Sequence, residues 1–145
     1  MFKILRLSGL FVLFALFSVS SEAQCFSFAK GVCKSTMGGY VYDGNYNATI
    51  LNEGETAEIY KTFFKGQAYR VSVCKADSLP DVYFKIIDGE NEVLFDSETE
   101  QTNTWDFEME STQQLIVQLR VLEKNPSSRI KISGCVAVMF GIKNR

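Results

Sequence analysis

Apolar residues at every second position, in short runs cut by turn residues, are what most narrows the folds open to this chain. Tyr69, Val71 and Val73 alternate with Arg70 and Ser72. Val82, Phe84 and Ile86 alternate with Tyr83 and Lys85. Trp105, Phe107 and Met109 alternate with Asp106 and Glu108. Leu115, Val117, Leu119 and Val121 alternate with Gln118 and Arg120, and Val136, Val138, Phe140 and Ile142 close the series. A period of two puts each set on one face of a strand, so these five stripes are the predicted core. Burying each large side chain stabilises by about 1.5–3 kcal/mol.

The predicted strands are 48–52, 56–64, 68–75, 81–88, 92–96, 104–109, 113–122 and 130–142. Asn52-Glu53-Gly54-Glu55, Lys65-Gly66-Gln67, Ser78-Leu79-Pro80 and Asp88-Gly89-Glu90-Asn91 are turn chemistry, and Asn125-Pro126-Ser127-Ser128 is a loop. About eight antiparallel strands with no amphipathic helix among them define an all-β chain, a jelly-roll-like β-sandwich. Residues 24–47 read differently. They form an irregular, disulfide-bonded N-terminal arm with a tight turn at Asp43-Gly44 and room for a short helical turn around Ser27–Val32.

The chain opens with Lys3 and Arg6, then an apolar run from Leu7 to Val19, then Ser21-Glu22-Ala23. This is the pattern of a cleavable export signal over residues 1–23, with the mature chain starting at Gln24. The run is shorter than the roughly 20 residues of a spanning helix, so no stable membrane span is expected after cleavage. Gln24 stands where a lipoprotein signal wants a small residue, which argues against lipidation of Cys25. The expected location is secreted or periplasmic. The division is therefore 1–23 signal, 24–47 arm and 48–145 sandwich. The mature part carries 13 basic and 16 acidic residues and no basic patch. Nucleic acid is thereby disfavoured as a partner, and so are anionic membrane surfaces.

All four cysteines, Cys25, Cys33, Cys74 and Cys135, lie behind the signal. An even count in an exported chain reads as two disulfides. The closest pair is too widely spaced for a zinc knuckle, and histidine is absent. Cys74 and Cys135 fall out of phase with the core stripes, so the favoured pairs are Cys25–Cys33, local to the arm, and Cys74–Cys135, across an outer face. The two crossed pairings stay open. A crossed pairing would pin the arm over an outer sheet face and cover Ile87 and Ile116, which also point outward.

The stretch with Leu51, Gly54-Glu55, the Phe63–Gly66 turn, Gln67-Ala68-Tyr69-Arg70, Asp81-Val82, Phe84, Asp88 and Leu94-Phe95-Asp96 resembles the bacterial pre-peptidase C-terminal domain. The wider set of Cys25, Cys33, Val73-Cys74, Trp105-Asp106-Phe107, the run from Ser111 to Ile116 and Gly134-Cys135-Val136 resembles a family of uncharacterised exported bacterial proteins. The resemblance covers most of residues 25–143. It implies a secreted jelly-roll sandwich and carries over no catalytic residue.

Without histidine, Ser-His-Asp and Cys-His catalysis are closed, and oxidised cysteines are not nucleophiles. No cofactor motif is present, and no cofactor is expected. Asp77, Asp81, Asp96 and Glu98 are the calcium candidates, weighed against plain turn residues. Tyr40, Tyr42 and Tyr46, with Phe26 and Phe28, are the candidate binding surface for a protein or glycan, weighed against a satellite core. Asn47-Ala48-Thr49 fits a glycosylation sequon, relevant only in a eukaryotic host. The expected function is a non-catalytic exported binding or accessory module. The alternatives are a structural component of an envelope assembly and a small carboxylate-based hydrolase.

Overall fold

A computed structural model describes residues 21–144. Residues 1–20, most of the expected export signal, lie outside the described residues. Ser21–Ala23 form the first turn of a helix. The elements in chain order are α1 (Ser21–Gly31), a 3-10 helix (Cys33–Met37), β1 (Val41–Tyr42), β2 (Asn47–Asn52), β3 (Thr56–Phe63), β4 (Ala68–Lys75), β5 (Val82–Ile87), β6 (Val93–Asp96), α2 (Ser97–Glu100), β7 (Thr104–Glu108), β8 (Gln113–Val121) and β9 (Ser133–Ile142). Every predicted strand is present, with ends within three residues of expectation.

The strands form two antiparallel sheets. One runs β1-β9-β4-β7, with β2 also pairing along β9. The other runs β3-β8-β5-β6. β1 and β2 share one edge of β9, Val41 opposite Ile142 and Asn47 opposite Val138, and the chain steps away from the sheet between them. Between the layers lies the core that period-two alternation foretold. Val71, Ile86, Leu115, Val117, Val136 and Val138 are wholly buried in it, and Trp105, Phe107 and Ile142 pack against it from its margins. Phe63, Leu79 and Phe95 belong to it as well. Phe63 sits edge-on to Tyr69 at 4.9 Å and to Phe107 at 5.2 Å. The Tyr69 hydroxyl accepts the Phe64 N–H at 3.0 Å, so its polar end is satisfied.

The arm departs from expectation. Its first part is helical, over Ser21–Gly31 and Cys33–Met37, where the sequence suggested only a short helical turn around Ser27–Val32. Cys25, Ala29 and Cys33 recur every fourth residue and are fully buried, the spacing of one helix face. Glu22 in the first turn and Lys30 in the last complement the helix dipole. This face lies on the outer side of the five-stranded sheet and builds a second, smaller core with Met37, Ala137 and Met139.

The favoured disulfide pairing is corrected with it. The bridges are Cys25–Cys135 and Cys33–Cys74, with Cα separations of 5.3 and 5.6 Å. Helical rise is the reason. Cys25 and Cys33 sit eight residues apart along a helical path, about 12 Å at 1.5 Å per residue, beyond the reach of a disulfide. Cys74 and Cys135 do lie on neighbouring strands and on the outer face. However, Cys74 stands opposite Ala137, and each cysteine bonds upward to the arm. The arm therefore covers the five-stranded sheet and leaves the other bare. Ile87 and Ile116 face each other on that other sheet, in a row with Tyr60 and Val93, and the arm does not cover them.

Arg70 makes a third link. On the outer face of β4 it holds Asp106 of β7 through two bonds of 2.7 Å and donates to the Thr36 and Met37 carbonyls at 3.3 and 3.2 Å. Gly38, at φ +55°, ends the 3-10 helix where an added Cβ would lie 2.7 Å from the Arg70 guanidinium, so a bare backbone is needed there.

The bridges close separations of 110 and 41 residues, each worth about 4–5 kcal/mol on the chain-entropy scale. Non-reducing tryptic mapping should link the Cys25 peptide to that of Cys135, and the Cys33 peptide to that of Cys74. A Cys25–Cys33 link would contradict this arrangement. Replacing Cys33 and Cys74 together by serine should cost about 2–5 kcal/mol of stability.

Candidate binding surface

The three tyrosines named from the sequence take different places. Tyr40 lies under the Arg70 guanidinium, 4.6 Å from cation to ring centre, and belongs to the clamp on the 3-10 helix. Tyr42 packs into the smaller core with its ring 4.5 Å from that of Tyr46. Its hydroxyl is buried with no hydrogen-bond partner among the described residues. Burial pushes its pKa up to about 12, with Tyr46 and Asp43 adding to the effect. Tyr46 alone of the three reaches a groove.

That groove, of about 370 Å3, runs between the step from β1 to β2 and the open edge of β3. Phe26, Tyr46 and Tyr60 line it with the buried Phe140. Phe26 is 51% and Tyr60 58% exposed. Phe26 follows the bridged Cys25 by one residue, about 100° around the helix, so the residue that anchors α1 also fixes where Phe26 points. Its ring meets Tyr46 edge-on at 5.0 Å. Lys61 also lines the groove. Its Nζ lies 2.7 Å from Asp43 Oδ2 and 4.6 Å from the centre of the Phe140 ring. Asp43 also accepts the Asn45 N–H at 2.9 Å, which shapes the bend at Gly44 that the sequence indicated. Tyr60 was not singled out from the sequence. Its outward phase on an edge strand was the available signal.

No three of the calcium candidates converge, and no group of three or more acidic, cysteine or histidine side chains suited to a metal is found among the described residues. Asp77 and Asp81 line a polar recess of about 580 Å3 with Lys75, Tyr83, Gln101 and Asn103. Asp96 caps α2, accepting the Glu98 N–H at 3.0 Å, and pairs with Lys85 at 3.1 Å. Glu98 pairs with Arg120 at 2.6 Å.

A third feature was read from the sequence only as turn and loop. Glu53, in the β2–β3 turn, is 4% exposed. Its carboxylate accepts the Lys124 N–H at 3.1 Å and the Ile132 N–H at 3.3 Å, and its own N–H donates to the Ile132 carbonyl at 2.8 Å. One side chain thus holds both ends of the segment between β8 and β9. Within it the Ser128 N–H donates to the Asn125 carbonyl at 3.0 Å, and the Ser128 hydroxyl bridges the Ile130 N–H and carbonyl. Lys131 pairs with Glu123 and donates to the Asn125 carbonyl. The loop is closed at its base and braced within, as compact Ω-loops are. Two residues before the clamped Ile132, Ile130 is 85% exposed beside Arg129.

Fold and surface together define a two-layer, disulfide-riveted β-sandwich that carries a clamped loop and an aromatic groove. No family model matches the chain, and no curated protein matches it. Among solved structures it is similar to PliG of Aeromonas hydrophila, a periplasmic lysozyme inhibitor of g-type lysozyme. The TM-score is 0.51 at 12% identity, over 72% of this chain and 89% of that one. At that identity the likeness is one of fold. No helix among the described residues is long and apolar enough to cross a membrane.

Two measurements check this account of the arm. Tyr42→Phe removes a buried hydroxyl that lacks a partner. It should leave Tm unchanged or raise it by a few degrees, for a gain of up to about 1 kcal/mol, and a clear loss would contradict the assignment. The Arg70 hydrogen bonds hold the Asp106 carboxyl below the usual range, against an opposing effect of burial. The stability this contributes is complete above the unfolded carboxyl pKa of about 3.9. It is lost as the pH falls through the lower folded value. Asp106→Asn should therefore lower Tm at neutral pH, and the gap to the parent chain should close as the pH falls toward 2. A gap of constant size would count against the pairing.

Proposed function

We propose that the chain is an exported, non-catalytic module that binds a folded protein partner through the Glu53-clamped loop. The observation that carries this is the loop itself: a pre-braced segment that holds an almost fully exposed isoleucine two residues from its clamped end. Rigid presentation lowers the ordering cost of association, and an exposed apolar side chain gains when it is buried in a recess. The segment 122–132 carries three cations, Lys124, Arg129 and Lys131, against one carboxylate, Glu123, on a chain that is acidic overall. The recess that receives it is therefore acidic. The fold neighbour, a protein that inhibits another protein, supports the same class. Several of the carboxylates that a hydrolase would need are engaged elsewhere. Asp88 accepts the Glu90 and Glu92 N–H groups, and Asp96, Glu98 and Asp106 face cations.

The test uses residues 24–145 immobilised against the native envelope and secreted fractions, and in solution against a purified g-type lysozyme. A captured protein is purified and its binding measured directly. The Arg129→Glu/Ile130→Asp variant, altered only at exposed positions, should keep its Tm and bind at least tenfold more weakly, about 1.4 kcal/mol. Equal binding by parent and variant, or capture of no protein, would overturn the proposal.

A further inference from the structure

The geometry points to a second site on the molecule, distinct from the loop: the groove between Phe26, Tyr46 and Tyr60 binds a neutral oligosaccharide. Three observations converge there. Phe26 and Tyr60 are exposed and Tyr46 is half-buried; Phe26 is held by the bridged helix and by its edge-on contact with Tyr46, and Tyr60 by its hydroxyl, which donates to Glu58 at 2.9 Å. Sugar rings present apolar C–H faces that pack on such side chains, with hydroxyls around the rim.

The polar groups of the groove suit those hydroxyls. Asn47 donates its amide hydrogens to the Asn45 and Val138 carbonyls at 3.3 and 3.2 Å, which fixes the amide plane and leaves Oδ1 as an acceptor. Lys61 spends one bond on Asp43 at 2.7 Å and retains further donor protons. The Asn45 side-chain amide supplies both functions.

Charge and size narrow the ligand. Asp43 neutralises Lys61, so the groove has no uncompensated cation to select an anion. Its volume of about 370 Å3 falls at the small end of ligand sites, with room for about two linked sugar rings. The competing occupant is an extended peptide added to the open edge of β3. Lys61 opposes it, because its side chain turns inward on that edge strand, a device that blunts strand addition. Phe26 and Tyr46 also stand beside the same edge.

The probes are triacetylchitotriose, maltotriose and a synthetic octapeptide of alternating threonine and valine. Each is titrated into the isotopically labelled, oxidised protein and followed by amide chemical shifts. At least one saccharide should saturate below about 10 mM, with shifts centred on Phe26, Tyr46, Asn47 and Tyr60. Phe26→Ala and Tyr60→Ala, both at exposed positions, should each weaken it at least fivefold at unchanged Tm. Arg129→Glu/Ile130→Asp should leave it unaltered, which separates this site from the protein-binding loop. The inference is overturned if neither saccharide saturates, if the shifts fall elsewhere, if the groove variants bind as the parent does, or if the octapeptide alone binds.

Discussion

β9 is buried on both faces, and most of the molecule is arranged to make that so. Val136, Val138 and Phe140 look into the sandwich, while Ala137 and Met139 look out, under α1 and the 3-10 helix. A strand covered on both sides loses the option of a polar face, and the run from Val136 to Phe140 holds no polar side chain. Small residues make the outer cover fit. A Cβ added at Gly141 would fall 2.7 Å from Tyr40 Cβ and 3.0 Å from Met37 Sδ. With so few apolar residues on its face, α1 is too short to hold itself there. The two disulfides and the Arg70 clamp supply what packing does not.

This constraint also divides the surface. The five-stranded sheet has its outer face closed by the arm, whereas the four-stranded sheet keeps an open one, where Tyr60, Ile116, Ile87 and Val93 run across four strands. The two features proposed to bind flank that arrangement. The clamped loop leaves β9 at its start, tied to β2 and β3 through Glu53. The groove lies where the step between β1 and β2 passes β3. Both owe their shape to β9, since β1 and β2 find their register on it.

Strands such as β8 were legible because they had one covered face and one solvated face, so hydropathy alternated along them, as in Leu115 to Val121. What failed to show was what covered a second face. The Cys25-Ala29-Cys33 series has helical spacing but little hydropathy, since two of its members act through sulfur chemistry and the third is a methyl. Ala137 and Met139 were passed over as the off-phase positions of a half-exposed strand. Read together, the absence of polar residues there and the four-residue spacing upstream were the available signals for a helix over that sheet. Glu53 lay beyond reach, since an acidic residue between Asn52 and Gly54 is ordinary turn chemistry, and only its burial reveals the clamp. The tyrosine cluster was legible as a cluster. Its division into one clamp, one core ring and one groove ring depended on the path of the helix.

The contact between α1 and the outer face of β9 is the claim on which the rest stands. Methyl-resolved NOE spectroscopy on the oxidised chain measures it directly. Cross-peaks from the Ala29 methyl to the methyls of Ala137 or Met139 are predicted alongside those across the sandwich, such as Val71 to Val138. A spectrum with the sandwich contacts intact and no connection from Ala29 to β9 would contradict the account.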